Sequence, residues 1–193
     1  MATKKDCVRE HEFVLVLAGV AELSSRVVDA LFDAGCDDAT VSLRLGRVYL
    51  SFTREAPSLR DAVLSAIRDV GRAQIGASVL CVDGGDLVSQ AEIARRIGRT
   101  RQQVGQYVSG KRGPGHFPPP ARDLTEGHPL WEWCEVAYWL WQNGIVGDDV
   151  LEEARAIAAI NSALEYHRQH QRDSALVEEV CRIVGEEQPS HAV

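Results

Sequence analysis

SQAEIARRIGRTRQQVGQYVSGKR, residues Ser89–Arg112, is the stretch on which the fold of this chain turns. Ser89 followed three residues on by Glu92 has the form of a capping box, in which the serine oxygen takes an orphan backbone N–H and the glutamate reaches back. Ala91, Ile93, Ala94 and Ile97 recur at helical spacing, and Gly98 stands where a left-handed C-cap ends a helix. Thr100 with Gln103 opens a second helix by the same device, and Val104, Tyr107 and Val108 supply its buried face. Two helices joined by so short a turn cross steeply. That geometry needs a small residue at the contact (Ala94), a turn glycine (Gly98) and an apolar plug (Val104). The stretch predicts a helix-turn-helix.

Charge says what such a pair would face. Between Asp86 and Arg122 the basic residues are Arg95, Arg96, Arg99, Arg101, Lys111, Arg112 and Arg122, against Asp86 and Glu92, a net of +5 in a chain of −7. The rest therefore sums to −12, and a basic island in an acidic chain reads as a phosphate footprint. The acidic total argues against indiscriminate nucleic-acid coating and for one local contact face with double-stranded DNA. Arg101 and Gln102 occupy the exposed start of the second helix and Gln106 lies one turn later. Arginine takes guanine O6/N7 and glutamine takes adenine N6/N7 bidentately, so these three are the base-reading candidates. Thr100 caps the helix whose positive end approaches phosphate; Arg95, Arg96, Arg99, Lys111, Arg112 and Arg122 complete the phosphate set. Gln103 caps rather than reads.

Gln90, Ala94, Gly98 and Val104 fall at the spacing of the helix-turn-helix in phage repressors and many bacterial regulators, and QAEIARRIGRTRQQVGQ resembles the lambdoid repressor version. In those repressors the positions matching Arg101, Gln102 and Gln106 read bases. The following run, GPGHFPPPARDLTEGHPLWEWCEVAYWLWQNG, departs from them. It resembles the wing and next helix of small MerR-, excisionase- and AlpA-like regulators, with an FP-x-P stretch, a tryptophan ending the wing and an E-V-x-x-W-L helix. The resemblance covers about residues 86–144. It implies a winged helix-turn-helix transcriptional regulator acting as a homodimer, with an excisionase-like architectural factor or an antitoxin-like adaptor as alternatives.

Before this segment, Phe13–Ala18 (FVLVLA) is a nearly continuous apolar run suited to a central strand. Leu23–Ala34 is helical in period and closed by Gly35. Thr40–Arg44 and Val48–Phe52 read as a hairpin, and Ser58 with Asp61 starts a helix whose buried face runs from Leu59 to Val70. Ser78–Val82 is a last strand before the Gly84-Gly85 linker. Strand, helix, strand, strand, helix, strand is the ferredoxin-like βαββαβ plan, which places the first and third strands centrally. Such a domain suits dimerisation or the sensing of an effector, either a small molecule or a protein. An RNA-binding version would draw on Phe13 and Tyr49. Asp37, Asp38, Arg54 and Glu55 read as loop solvation or the rim of a ligand site.

The fold class expected is α+β: a loose N-terminus (1–12), a ferredoxin-like domain (13–84), a winged helix-turn-helix (86–144), a C-terminal helical pair (148–185) and a tail (186–193). Gly113-Pro114-Gly115 and Phe117-Pro118-Pro119-Pro120 predict a rigid wing, with Trp131 and Trp139 burying it rather than stacking bases, and Trp141 turned to a neighbouring domain or subunit. His116 and His128 lack a third ligand at metal spacing, as do His167 and His170 with Glu165. Five scattered cysteines suit neither disulfides nor zinc, Cys81 and Cys134 reading as core thiols. No cofactor is implied, and no nucleophilic triad or phosphate loop supports an enzyme. The early apolar run is too short for a signal peptide or membrane span, so the expected location is the cytoplasm, without membrane contact.

Overall fold

The computed structural model describes residues 8–84, 86–124 and 127–186. They form a mixed α+β chain with two sheets and seven helices. The first unit runs β1 (Arg9–Ala18), α1 (Ser25–Asp33), β2 (Ala39–Arg44), β3 (Arg47–Ala56), α2 (Leu59–Arg72) and β4 (Ser78–Val82). Its strands pair antiparallel in the order β2-β3-β1-β4, with the first and third in the middle. Alternation places Phe13, Leu15 and Leu17 of β1 and Val48, Leu50 and Phe52 of β3 on one face, all buried against Leu31 of α1 and Val63, Ala66 and Val70 of α2. Leu45 and Gly46 both have positive φ, 48° and 73°, the two-residue hairpin turn whose twist matches the strands it joins.

Three expectations are corrected here. Strand β1 begins at Arg9, because the period-2 pattern continues upstream: His11 is buried, 3.3 Å from the Ala56 carbonyl oxygen, while Glu10 and Glu12 face outward. Residues 9–12 are thus strand, and 1–7 lie outside the described residues. Phe13 and Tyr49 occupy opposite sheet faces, Phe13 stacking in the core on Phe52 at 5.0 Å, so they form no joint platform for bases. Arg54 is neither solvated nor on a rim. It is buried and uses all five N–H donors, on Asp38 (2.7 and 2.8 Å), Asp69 (2.6 Å), Ser65 (2.9 Å) and the Gly35 carbonyl (2.6 Å).

The second unit comprises β5 (Leu87–Val88), α3 (Gln90–Arg96), α4 (Arg101–Val108), β6 (Arg122–Leu124), β7 (His128–Glu132) and α5 (Trp133–Gln142). Its small sheet has the order β5-β7-β6. Val88, Ile93, Ala94, Val104, Tyr107 and the tryptophans 131, 133 and 139 form its core. Val108, expected inside, is exposed.

The C-terminal helices pack on each other, and the first of them also reaches both cores. Helix α6 (Asp148–Arg172) gives Leu151 and Ala154 to the second core and Ile157 to the first. One turn on, Asn161 closes the free edge of β4: its Oδ1 accepts from Val82 N (2.7 Å) and its Nδ2 donates to Val82 O (3.1 Å) and to Asp86 (2.7 Å). The connection expected as a linker is therefore pinned on both sides of Gly84, and Gly85 lies outside the described residues. Asp173, whose φ of −152° and ψ of 85° are not helical, breaks α6 from α7 (Ser174–Glu186). Of the expected tail, Glu186 closes α7, and 187–193 lie outside the described residues. No described helix is long and apolar enough to cross a membrane.

Candidate nucleic-acid interface

The helix pair is held by local chemistry at each of its ends. Ser89 accepts from Glu92 N at 3.2 Å. Glu92 does not reach back to Ser89, as a capping box would require. Two guanidiniums, at i+3 and i+4, take it instead: Arg95 donates twice (2.9 and 2.6 Å) and Arg96 once (3.0 Å). Chiefly through Arg95, these hydrogen bonds lower the Glu92 carboxyl to about 2. Gly98 has φ 61°; Gly98 N–H donates to Arg95 O and Arg99 N–H to Ala94 O, closing α3 through the left-handed residue. Thr100 and Gln103 form a full capping box, with arms of 3.2 and 3.0 Å. Gln90 crosses between the helices, its Nε2 donating to Arg101 O at 2.9 Å, and a Cβ on Gly105 would stand 2.6 Å from that nitrogen.

On this frame Arg101 and Gln102 are exposed in the first turn of α4, and Gln106, half-buried, lies one turn beyond Gln102 on the same helix face. Arg99 is exposed in the turn before them. Arg112 N–H donates to Gln106 O at 3.0 Å, which folds Lys111 and Arg112 back beside the end of α4, with the Arg112 guanidinium 6.0 Å from the Tyr107 ring. Arg99, Thr100, Arg101, Lys111 and Arg112 therefore cluster around α4.

The other phosphate candidates stand elsewhere. Arg96 turns inward, pairing with Glu92, donating to the Gly84 carbonyl and lying 4.7 Å over the Trp133 ring. Its side chain is 18 % exposed against 73 % for Arg95. Arg95 borders a cleft of about 420 Å³ between the two units, with Glu12, Asp83 and Glu153. Arg122 lines a separate cleft between β7 and α6 with Asp86, Glu132 and Glu165. Carboxylates beside Arg95 and Arg122 offset part of their charge.

The tryptophans fix the loop that follows. Trp131 Nε1 donates to Pro118 O (3.1 Å) and Trp139 Nε1 to Gly115 O (2.9 Å). Phe117 packs edge-on against both rings, at 6.3 and 5.0 Å. A Cβ on Gly113, whose φ is 82°, would meet Trp139 at 3.3 Å. Trp131, Trp133 and Trp139 are all buried, so none of them offers a stacking platform. Trp141 stacks on Tyr138 and reaches the neighbouring helix, its Nε1 donating to Asp148, the first residue of α6, at 2.6 Å. Burial pushes the Cys81 and Cys134 thiols up from their ordinary pKa.

Two contributors escaped the sequence reading. The hairpin β6–β7 is one, because Arg122–Leu124 is too short for periodicity to show and Pro129 interrupts its partner strand. Asn161 is the other, and it did leave a signal: it continues the buried stripe Leu151, Ala154, Ile157, where a polar side chain must find partners. Comparison of the chain with known protein families, with characterised proteins and with solved structures gives no match.

Proposed function

We propose that this protein is a sequence-specific double-stranded DNA-binding regulator that lays α4 in the major groove. The observation that carries this reading is the arrangement around α4. A capped helix presents Arg101, Gln102 and Gln106, with Arg99, Lys111 and Arg112 at its two ends, while Glu92 of the preceding helix is already taken up by Arg95 and Arg96. Neutralising the local acid leaves an uncompensated positive rim on the exposed end of the pair. The β6–β7 hairpin and the tryptophan-anchored loop support a winged form of the helix-turn-helix. The strand order β2-β3-β1-β4 supports a ferredoxin-like plan for the first unit. In this reading the regulator works as a homodimer and the first unit serves its regulation.

The test is fluorescence anisotropy with DNA from the gene's own upstream region and with scrambled DNA, over a salt series. Four cationic side chains around α4 should give a log–log salt slope of about −3 to −4. Arg101→Ala should cost about 1–3 kcal/mol on the preferred sequence and blur one base position; Lys111→Ala should weaken all sequences alike and reduce the slope by about 1. Binding that ignores both substitutions would overturn the proposed docking.

A further inference from the structure

The cleft that Arg95 borders lies where the first unit, α3 and α6 meet. Phe13 and Val82 of the first unit and Ala154 and Ile157 of α6 are each under a tenth exposed, and they give it an apolar floor. Its volume of about 420 Å³ is within the range of small-molecule sites. Charged side chains stand around that floor, and what they leave unanswered sets the sign of a ligand.

Arg95 and Arg96 both donate to Glu92, and Arg96 also lies over Trp133. Glu153 is paired with Arg9 at 2.7 Å. Glu12 and Asp83 are exposed and, among the described residues, have neither an ion pair nor a side-chain hydrogen bond. The lining charges and their partners come to four carboxylates against three guanidiniums, so one negative charge is left over. It falls to Glu12 and Asp83. The backbone adds an acceptor beside them. Strand β4 pairs with β1 no further upstream than Leu15, and Asp83 N–H donates to Val14 O at 2.8 Å. Alternation along the strand turns the Glu12 carbonyl to the same edge of β1 as that of Val14.

We propose that this cleft binds a small organic monocation, a primary amine on an alkyl or aryl body of roughly ten non-hydrogen atoms. An ammonium has three donors and no acceptor, which matches the Glu12 and Asp83 carboxylates and the Glu12 carbonyl. The apolar body covers Phe13, Val82 and Ile157. An anion of the same size would meet two free carboxylates, while both guanidiniums of the cleft are already taken. The occupant touches the first unit and α6 at once, next to the helix that carries Arg95 and Arg96. That its binding alters the DNA affinity of α4 deepens the DNA-binding reading and rests on it; the site itself does not.

Titration calorimetry of the full chain with 4-phenylbutylamine, hexylamine, methylamine and 4-phenylbutanoate is the test. The first two should bind one molecule per chain with a Kd of about 0.1–1 mM. Methylamine, which lacks the body, and 4-phenylbutanoate, of opposite charge, should bind at least about tenfold more weakly. Glu12→Gln/Asp83→Asn should weaken 4-phenylbutylamine about tenfold with an unchanged thermal melt, since both side chains are exposed. Backbone amide NMR shifts on adding 4-phenylbutylamine should centre on Glu12, Phe13, Asp83, Gly84, Ala154 and Ile157. No binding of either larger amine up to about 5 mM, equal binding of methylamine or the butanoate, an unchanged affinity in the double variant, or shifts centred elsewhere would each overturn the proposal. None of these measurements involves DNA, so the amine site can fail while DNA binding stands.

Discussion

Asn161→Ala should cost more stability than its single small side chain suggests. Asn161 is 7 % exposed and serves three groups: the N–H and C=O of Val82, itself 4 % exposed, and the carboxylate of Asp86. Alanine leaves all three without these bonds, and the other Asp86 carboxylate oxygen has no hydrogen-bond partner to begin with. An orphaned buried polar group costs about 1–3 kcal/mol. The low end applies here, because the cleft lined by Asp86 and Asn161 admits water. Three groups at about 1 kcal/mol each give a loss of about 3 kcal/mol. In a chain of this size that lowers Tm by roughly 6–12 °C. Urea titration and calorimetry would measure it. Asn161→Leu, which keeps the volume, should lose about as much, separating the hydrogen bonds from the cavity. Adding Asp86→Ala to Asn161→Ala should recover about 1 kcal/mol, because the orphaned carboxylate is gone. A loss under about 1 kcal/mol, or a double variant additive within about 0.5 kcal/mol, would refute the clamp.

Arg96→Ala should destabilise the fold by about 1–2 kcal/mol through its lost ion pair, carbonyl bond and Trp133 contact, leaving the salt slope of DNA binding alone. Arg99→Ala should do the reverse, and a swap of these two outcomes would misassign both. Gly113→Ala should cost about 1–2 kcal/mol, from positive φ and the approach of Trp139, and should alter the near-ultraviolet tryptophan signal. Asp86 gives a pH test. Burial raises its carboxyl above the unfolded value, so its ionised form is penalised in the folded chain above that raised pKa, and the penalty fades as pH falls through it. Asp86→Asn should therefore gain on the wild type at neutral pH, with the gain shrinking on acidification. Glu92, lowered in pKa, has the opposite sign: its stabilising effect is present above its unfolded pKa and fades towards pH 2. That effect is common to both chains and cancels in the comparison. A gain that grew as pH fell would contradict the burial of Asp86.

What could be read in advance follows from how local each interaction is. The Thr100–Gln103 box involves residues three apart, and the short run FVLVLA suits a central strand, so both show in the sequence. At Glu92, at the arginines of α3 and at α6, the reading departed from the structure through competition or distance. Glu92 had a backbone N–H three residues behind it and two guanidiniums ahead; a charge-assisted pair outweighs a neutral cap. Arg95, Arg96 and Arg99 are indistinguishable as letters, and only the fold puts one of them over Trp133, 37 residues away. Helix α6 packs with α7 as one partner of a helical pair, but its apolar stripe is uniform along both cores. Nothing in that stripe says that Leu151 and Ala154 belong to one core and Ile157 to the other. That division has a consequence for the chain as a whole. A helix contributing to two cores, with Asn161 holding the strand edge between them, couples their unfolding. Asn161→Ala should then lower the Tm of one calorimetric transition, because the packing of α6 on both cores still holds the units together. A split into two transitions would mean that the clamp, rather than the packing of α6, couples them.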